Sequence, residues 1–310
     1  MGKLEGTVKR QYRNATFSGS FGGVSGFLTN RKFKNAKAVT NELNKLEEVS
    51  LHKPIRKNFK RRKVIVHFVN YQLQADLADV AKYKRENKGN TFILFIIDTF
   101  SKFLWTTPIK NKSGPVVAAA FKKFFQTNKH PVRFLQVDNG LEFYNKDVKE
   151  LLKQKKIKLF STFTEVKASI VERSIRTIKT RLERYFTYTG KHRYLEILPQ
   201  LTNSYNSTIH SSHGFRPRDV NKENEHIVWK KLYEKHFAEP EKDPKFKVGD
   251  KVLTSKIKNL FSKGYSQNWN TEPFFIHEVK RTNPTVYTLR DENNELLQGT
   301  FYENQLQLVQ

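Results

Sequence analysis

The apolar run Val132, Phe134, Leu135 and Val137 stops at Asp138, and Asn139-Gly140 follows at once. An apolar run ending in an acid and a turn dipeptide predicts a buried strand that presents a carboxylate at its tip. Glu172 follows 34 positions later and opens a segment in which Val171, Ile175, Ile178, Leu182 and Phe186 recur at helical spacing. A third acid, Asp76, lies upstream in YQLQADLADV, where Tyr71, Leu73 and Ala75 alternate with polar residues. Three carboxylates carried by two strands and a helix can converge on one point, and hard divalent cations prefer such oxygen ligands. Two ions about 3.5–4 Å apart would clamp the attacking and leaving oxygens of an in-line phosphoryl displacement.

The surroundings of these acids predict an α/β fold. Strands are expected near 64–78, 91–99, 102–109, 132–137 and 157–160, with helices over 113–127, 145–154, from about 169, and over 194–209. A hairpin meander followed by alternating helix and strand predicts a mixed sheet flanked by helices. Two other acids compete with Asp76. Asp79 lies three residues later and so on the opposite face of a strand. Asp98, in IIDTFS, reads as a turn or supporting acid.

The motifs QADL, IIDTFSKFLW, VDNGLEF and KASIVERSIRTIKTRLERYF, followed by YNSTIHSSHGFRPRDV, resemble in this order the core of retroviral-type integrases with a D,D…E triad. LHKPIRKNFKRR ahead of them is similar to Maverick/Polinton and related virophage integrases in particular. The resemblance implies a ribonuclease H-like catalytic core over 65–220. It makes Asp76, Asp138 and Glu172 the catalytic and metal-holding residues of a Mg²⁺-dependent polynucleotidyl transferase, with two ions and Mn²⁺ as a substitute. The implied activity is 3′ end processing and strand transfer of mobile-element or viral DNA. The implied partners are double-stranded DNA, both element ends and target, and further copies of the chain in a dimer or tetramer. The implied place of action is the host nucleus, or a viral particle or factory. A catalytically inactive DNA-binding scaffold and a ribonuclease H-type nuclease without joining activity are the competing readings. Residues 161–168, before the glutamate helix, resemble the family's mobile active-site loop.

Charge agrees with a polyanionic partner. The chain has 57 Lys+Arg against 30 Asp+Glu, a net charge of +27 over 310 residues, and affinity for nucleic acid should then fall steeply with salt. With Glu172 set at 0° on a helix starting near Ser169, the apolar residues fall at about 240–320°. Arg176, Lys179 and Arg173 fall at about 40°, 340° and 100°. Glu172 therefore borders a basic face suited to a phosphate backbone, and Lys167 precedes it. Asn206, His210 and His213 are read as capping and loop-ordering residues rather than metal ligands.

The flanking regions differ in kind. Residues 1–64 carry 16 Lys+Arg and 4 Asp+Glu and form a basic, partly helical N-terminal region. TFSGSFGGVSGF predicts a turn-rich start, and Phe33, Ala36, Val39, Leu43 and Leu46 predict an amphipathic helix. Retroviral relatives carry a His2Cys2 zinc module here, but this chain has no cysteine, so neither that module nor a disulfide is expected. Lys60, Arg61, Arg62 and Lys63 read as a nuclear import signal or a phosphate-contacting arm. Residues 221–245 read as a helix and linker. Short apolar runs with turns between them over 246–310 predict a small barrel, which the resemblance makes SH3-like. Residues 241–310 hold 10 Lys+Arg and 9 Asp+Glu, so DNA affinity there would be local, through Lys256, Lys258 and Lys263. No apolar run approaches the length of a membrane span, and no signal-peptide block opens the chain.

Overall fold

The computed structural model describes residues 2–309 except 17, 30–34, 57, 129, 162–168, 241 and 257–265. Two compact units result: Val64–Pro240, and a second made of Met1–Lys63 together with Glu241–Gln310. No helix among the described residues is long and apolar enough to cross a membrane.

The N-terminal residues build four helices, α1 (Gly2–Tyr12), α2 (Val24–Thr29), α3 (Ala36–Lys45) and α4 (Glu47–Ser50). Of the amphipathic stripe read from the sequence, Val39, Leu43 and Leu46 are buried and, with Val49, pack on Val8, Tyr12 and Phe27; Ala36 is exposed, and Phe33 lies outside the described residues. Asn35 caps α3 by accepting from the Ala38 N–H at 3.0 Å. The glycine-rich stretch is turn-rich only up to Gly22, whose carbonyl accepts from the Tyr12 hydroxyl at 2.7 Å. Its end coils into α2 because Phe27 has a core to enter.

The larger unit is organised on five strands: β1 (Gln72–Asp79), β2 (Phe92–Asp98), β3 (Leu104–Ile109), β4 (Phe134–Val137) and β5 (Lys158–Ser161). Their order in the sheet is β3-β2-β1-β4-β5. The first three pair antiparallel, whereas β4 runs parallel to β1 and to β5. Helices α5 (Gly114–Thr127) and α6 (Lys146–Gln154) cover one face. Helices α7 (Ser169–Thr189) and α8 (Tyr194–Asn206) cover the other. Strand alternation sorts the side chains between them. Leu94 and Ile96 of β2 join the first layer, and Ile93, Phe95 and Ile97 join the second.

One expected element is shorter than its apolar pattern. Residues 64–71 are not a strand, and β1 starts at Gln72. The Val66 N–H donates to the Tyr233 hydroxyl and the Val69 N–H to Glu225 Oε1. Both acceptors stand on α9 (Glu225–Ala238). Side chains thus take the backbone donors that a strand partner would otherwise need. Helix α9 lies in the expected helix-and-linker region, and its Val228, Trp229 and Leu232 pack with Val66, Phe100 and Val220 of the same unit.

The C-terminal residues form β6 (Lys251–Ser255), β7 (Trp269–Lys280), β8 (Val286–Arg290), β9 (Phe301–Tyr302) and β10 (Leu306–Leu308). They make an antiparallel sheet in the order β10-β6-β7-β8-β9. Among the described residues the two edge strands β10 and β9 are not paired with each other, so the sheet is open where a closed barrel was expected. Within this unit Leu51 and Ile55 pack on Leu253 and Trp269. The Leu51 carbonyl accepts from the N–H groups of Asn268 and Trp269.

Candidate active site

Register brings the first two acids together. In the parallel β1–β4 pair, Gln72 stands opposite Phe134, Leu73 opposite Leu135 and Gln74 opposite Gln136. Continued two steps past its last pair, the same register would set Asp76 beside Asp138, just beyond the end of β4, and the charge of Asp138 acts on the Asp76 carboxyl. Face is decided by the same alternation. Leu73, Ala75, Leu135 and Val137 enter the α5/α6 layer, which turns Gln74, Asp76, Gln136 and Asp138 to the α7 side. Glu172 lies in the first turn of α7, where its charge is favoured by the helix dipole.

The electrostatics of Asp76 record this convergence. Burial pushes its carboxyl up to about 6, and the charges of Asp138, Glu172 and Glu142 push the same way, against the Leu77 N–H donating to its Oδ1. Like charges brought together without a counter-charge favour the protonated form, and a bound cation would relieve them. The donor set is all oxygen, as a hard divalent ion requires. Among the described residues no three His, Asp or Glu side chains are drawn tightly enough together to hold one ion as they stand. The chemistry of the acids fits a divalent cation, while their side chains would have to close around it.

Glu142 is an acid that the sequence reading did not single out. It follows Asp138 by four residues in the turn after β4, and its carboxylate lies against Gly140, where a Cβ would come within 2.6 Å of it. The Asp138 carboxylate accepts from the Gly140 N–H at 3.2 Å. Asn139 bonds to the Ser161 hydroxyl, which also takes the Tyr144 hydroxyl at 3.0 Å, so the turn is tied to the end of β5.

The competing acids lie elsewhere. Asp98 is fully buried, and its carboxylate accepts from the N–H groups of Asn70, Phe100 and Ser101 and from the Ser101 hydroxyl. It orders the turn between β2 and β3. Asp79 is exposed, and its Oδ1 accepts from the Ala81 N–H at 2.8 Å.

The basic residues divide between places. Glu172, Arg176 and Lys179 share one open flank of α7 with Glu183 and Arg184. The Lys179 ammonium also donates to the Asp79 carbonyl at 3.3 Å. Arg173 does not line that flank, and its charge disfavours the protonated forms of Lys102 and His210. Lys167 and nearly all of the expected active-site loop lie outside the described residues, as do Lys258 and Lys263. Lys60 donates to Asn283 Oδ1 at 2.9 Å, Arg61 stacks over the Phe59 ring, and Arg62 reaches Thr300 and Tyr302, all inside the smaller unit. Lys63 ends the same exposed segment.

Three polar residues have structural partners. Asn206 holds the end of α8 to β3 through both the N–H and the carbonyl of Leu104. His213 Nδ1 accepts from the Phe215 N–H, which leaves Nε2 as the donor to the Ser101 carbonyl. Burial lowers both His210 and His213 to about 4, so the pair is neutral near pH 7.

The family model described as the integrase core domain matches residues 67–162, a span that includes Asp76 and Asp138. An uncharacterized transposon-derived protein of Caenorhabditis elegans is 35% identical over 218 residues, covering 69% of this chain and 71% of that protein. The retrovirus-related Pol polyprotein from transposon 412 of Drosophila melanogaster is 30% identical over 139 residues, which cover 44% of this chain and 11% of the polyprotein. A chain in the cryoEM structure of the simian T-cell lymphotropic virus intasome in complex with PP2A regulatory subunit B56 gamma shares the fold at a TM-score of 0.63 and 13% identity, over 92% of this chain and 94% of that one.

Proposed function

The chain belongs to the integrase core domain family of transposon-derived and retrovirus-related proteins, and on that premise we propose that it is a metal-dependent DNA integrase of the Maverick/Polinton and virophage type. Its reaction would be 3′ end processing followed by strand transfer of element DNA into target DNA. The observation that carries this reading is the parallel β1–β4 register, which pairs Gln74 with Gln136, each two residues before an aspartate, Asp76 and Asp138. The raised carboxyl of Asp76 supports it independently. The similarity of LHKPIRKNFKRR to Maverick/Polinton chains supports the subtype.

Asp76, Asp138 and Glu172 would hold two Mg²⁺ ions, with Mn²⁺ as a substitute. When bound, such ions supply Lewis acidity to an in-line displacement at phosphorus. The half-buried setting of Asp76 limits the water that would otherwise compete for its carboxylate. Arg176 and Lys179, on the flank that carries Glu172, would hold duplex phosphates beside the acids, a contact that positions DNA without reading sequence. No covalent protein intermediate is needed. Joining two DNA ends calls for more than one protomer, so the working form would be a homo-oligomer. The basic Lys60–Lys63 segment supports action in the host nucleus, or in a viral particle or factory if the element is viral.

The deciding experiment incubates the full chain with Mg²⁺, labelled element ends and a plasmid target. Joined products that vanish with Asp138→Asn are expected. Cleavage without joining would identify a nuclease instead. Neither reaction, with DNA binding retained, would identify an inactive scaffold.

A further inference from the structure

We propose that Gln74 and Gln136 are positioning residues that set the distance between Glu172 and the two aspartates. The proposal rests on the assignment of Asp76, Asp138 and Glu172 to the reacting site. Each glutamine precedes an aspartate by two residues on its own strand, in Gln74-Ala75-Asp76 and Gln136-Val137-Asp138. Each therefore shares its aspartate's face of the sheet. The register sets the two glutamines opposite each other.

Their hydrogen bonds reach the third acid. Gln74 Oε1 accepts from the N–H groups of both Ile170 and Val171, each at 3.1 Å. These donors belong to the first turn of α7, one and two residues before Glu172, where a helix has no internal acceptor for them. Backbone N–H groups can only donate, so the amide of Gln74 must turn its oxygen to the helix and its NH₂ away. That NH₂ donates to Gln136 Oε1 at 3.0 Å, and the Gln72 NH₂ donates to the same oxygen at 3.0 Å. Each amide orientation is thus forced by the next, starting from the helix.

Burial makes the arrangement rigid. Gln74 is 1% exposed and Gln136 2%, so water cannot take over a broken bond at low cost. Apolar residues in these positions would fill the space and satisfy none of the α7 donors. The strand of Asp76, the strand of Asp138 and the helix of Glu172 are therefore linked through one amide chain that ends within two residues of every acid. Partners that orient metal-holding side chains in this way commonly control affinity and rate together.

The test uses the full chain with Gln74→Met, which keeps length and apolar volume but removes the amide, beside Gln136→Leu. Three readouts are taken: amide hydrogen exchange at Ile170 and Val171, Mn²⁺ binding without DNA by electron paramagnetic resonance, and joining. In folded Gln74→Met the two amides should exchange about tenfold faster. Mn²⁺ affinity should fall about 10- to 100-fold, and the joining rate at saturating DNA should drop while DNA affinity is kept. Wild-type exchange together with wild-type Mn²⁺ affinity in folded Gln74→Met or Gln136→Leu would overturn the proposal. If neither variant folds, unprotected Ile170 and Val171 amides in the wild-type chain would overturn it, and protected ones would support it. Faster exchange and weaker Mn²⁺ binding in a chain whose wild type never joins DNA would leave the clamp standing and remove the integrase reading.

Discussion

Asp76 and Asp98 are both acids held out of water, yet they should answer substitution in opposite ways. Asp76→Asn, Asp138→Asn and Glu172→Gln should each abolish cleavage and joining and leave DNA binding in place, because an amide matches a carboxylate in size but cannot hold a cation by charge. Full Mg²⁺-dependent joining by any one of them would remove that residue from the site. Asp76→Asn carries a second signature. The folded chain raises the Asp76 carboxyl from 3.8 to about 6, so the folded state binds this proton more tightly than the unfolded one. Wild-type stability should therefore fall as pH rises from about 4 through 6, and the asparagine variant should escape that loss. Above pH 6, without metal, the variant should be the more stable by up to about 3 kcal/mol, with the gap closing toward pH 4. Thermal melts across this range decide it, and an equal gap at pH 4 and pH 7 would contradict the assigned cause. Burial raises the Asp98 carboxyl as well, so its titration has the same sign, but Asp98→Asn meets a cost that Asp76→Asn does not. Its carboxylate takes four hydrogen bonds, and an amide would point a donor at one of those donors. A loss of about 2–3 kcal/mol is expected, with joining per folded molecule retained. Complete loss of joining in well-folded Asp98→Asn would mean that Asp98 belongs to the chemistry.

At the scale of elements, α7 does two jobs on two faces. Val171, Ile178, Leu182 and Phe186 fill the layer over β1 and β2, and the flank bearing Glu172, Arg176 and Lys179 stays open. The helical stripe in the sequence separated these faces correctly, since 3.6-residue periodicity is a local property. It grouped Arg173 with the other cations, whereas Arg173 is not among the residues lining that flank and its charge acts on Lys102 and His210, residues far from it in the chain. The DNA face can be tested on the two cations that remain. Arg176→Glu and Lys179→Glu should weaken binding, and each lost phosphate contact should lower the salt slope by about 0.9. Fluorescence anisotropy over a salt series reads both, and an unchanged slope and affinity would show that this flank does not meet DNA. Lys179 also bonds to the Asp79 carbonyl. A Lys179→Gln control, which can still donate there, separates charge from that contact.

The whole molecule makes the chain ends interdependent. Residues 1–63 share a unit with 241–310, and Leu51 and Ile55 cover Leu253 and Trp269. A chain ending near Pro244 and one starting at residue 65 should both keep the larger unit folded, because that unit has its own two apolar layers. Each should lose concerted joining of two ends. The 65–310 chain should also melt its C-terminal sheet at lower temperature, since Trp269 loses its cover. It should lose more bulk DNA affinity than the 1–244 chain, because residues 1–64 carry most of the excess charge of the two flanks. Sedimentation, melting and DNA titration on both fragments test this, and concerted joining by the 1–244 chain would exclude an essential assembly role for the C-terminal sheet.

The sequence by itself determined most strands of the core and the burial stripe of α7, because each is written in neighbours a few residues apart; the choice of Asp76, Asp138 and Glu172 among its acids came from the resemblance to integrase motifs. It also marked Asn206, His210 and His213 as ordering residues. Only the tertiary structure decided that residues 64–71 give their backbone donors to α9 rather than to a strand, and that the C-terminal sheet stays open among the described residues. It alone decided that β1 pairs parallel with β4 in the register that aligns Gln74 with Gln136, each two residues before an aspartate. That register joins segments about sixty residues apart, and nothing in local periodicity specifies which distant strand supplies the partner. The same reason hid the glutamines. A buried polar side chain reads as a surface residue until the acceptor or donor that satisfies it is known.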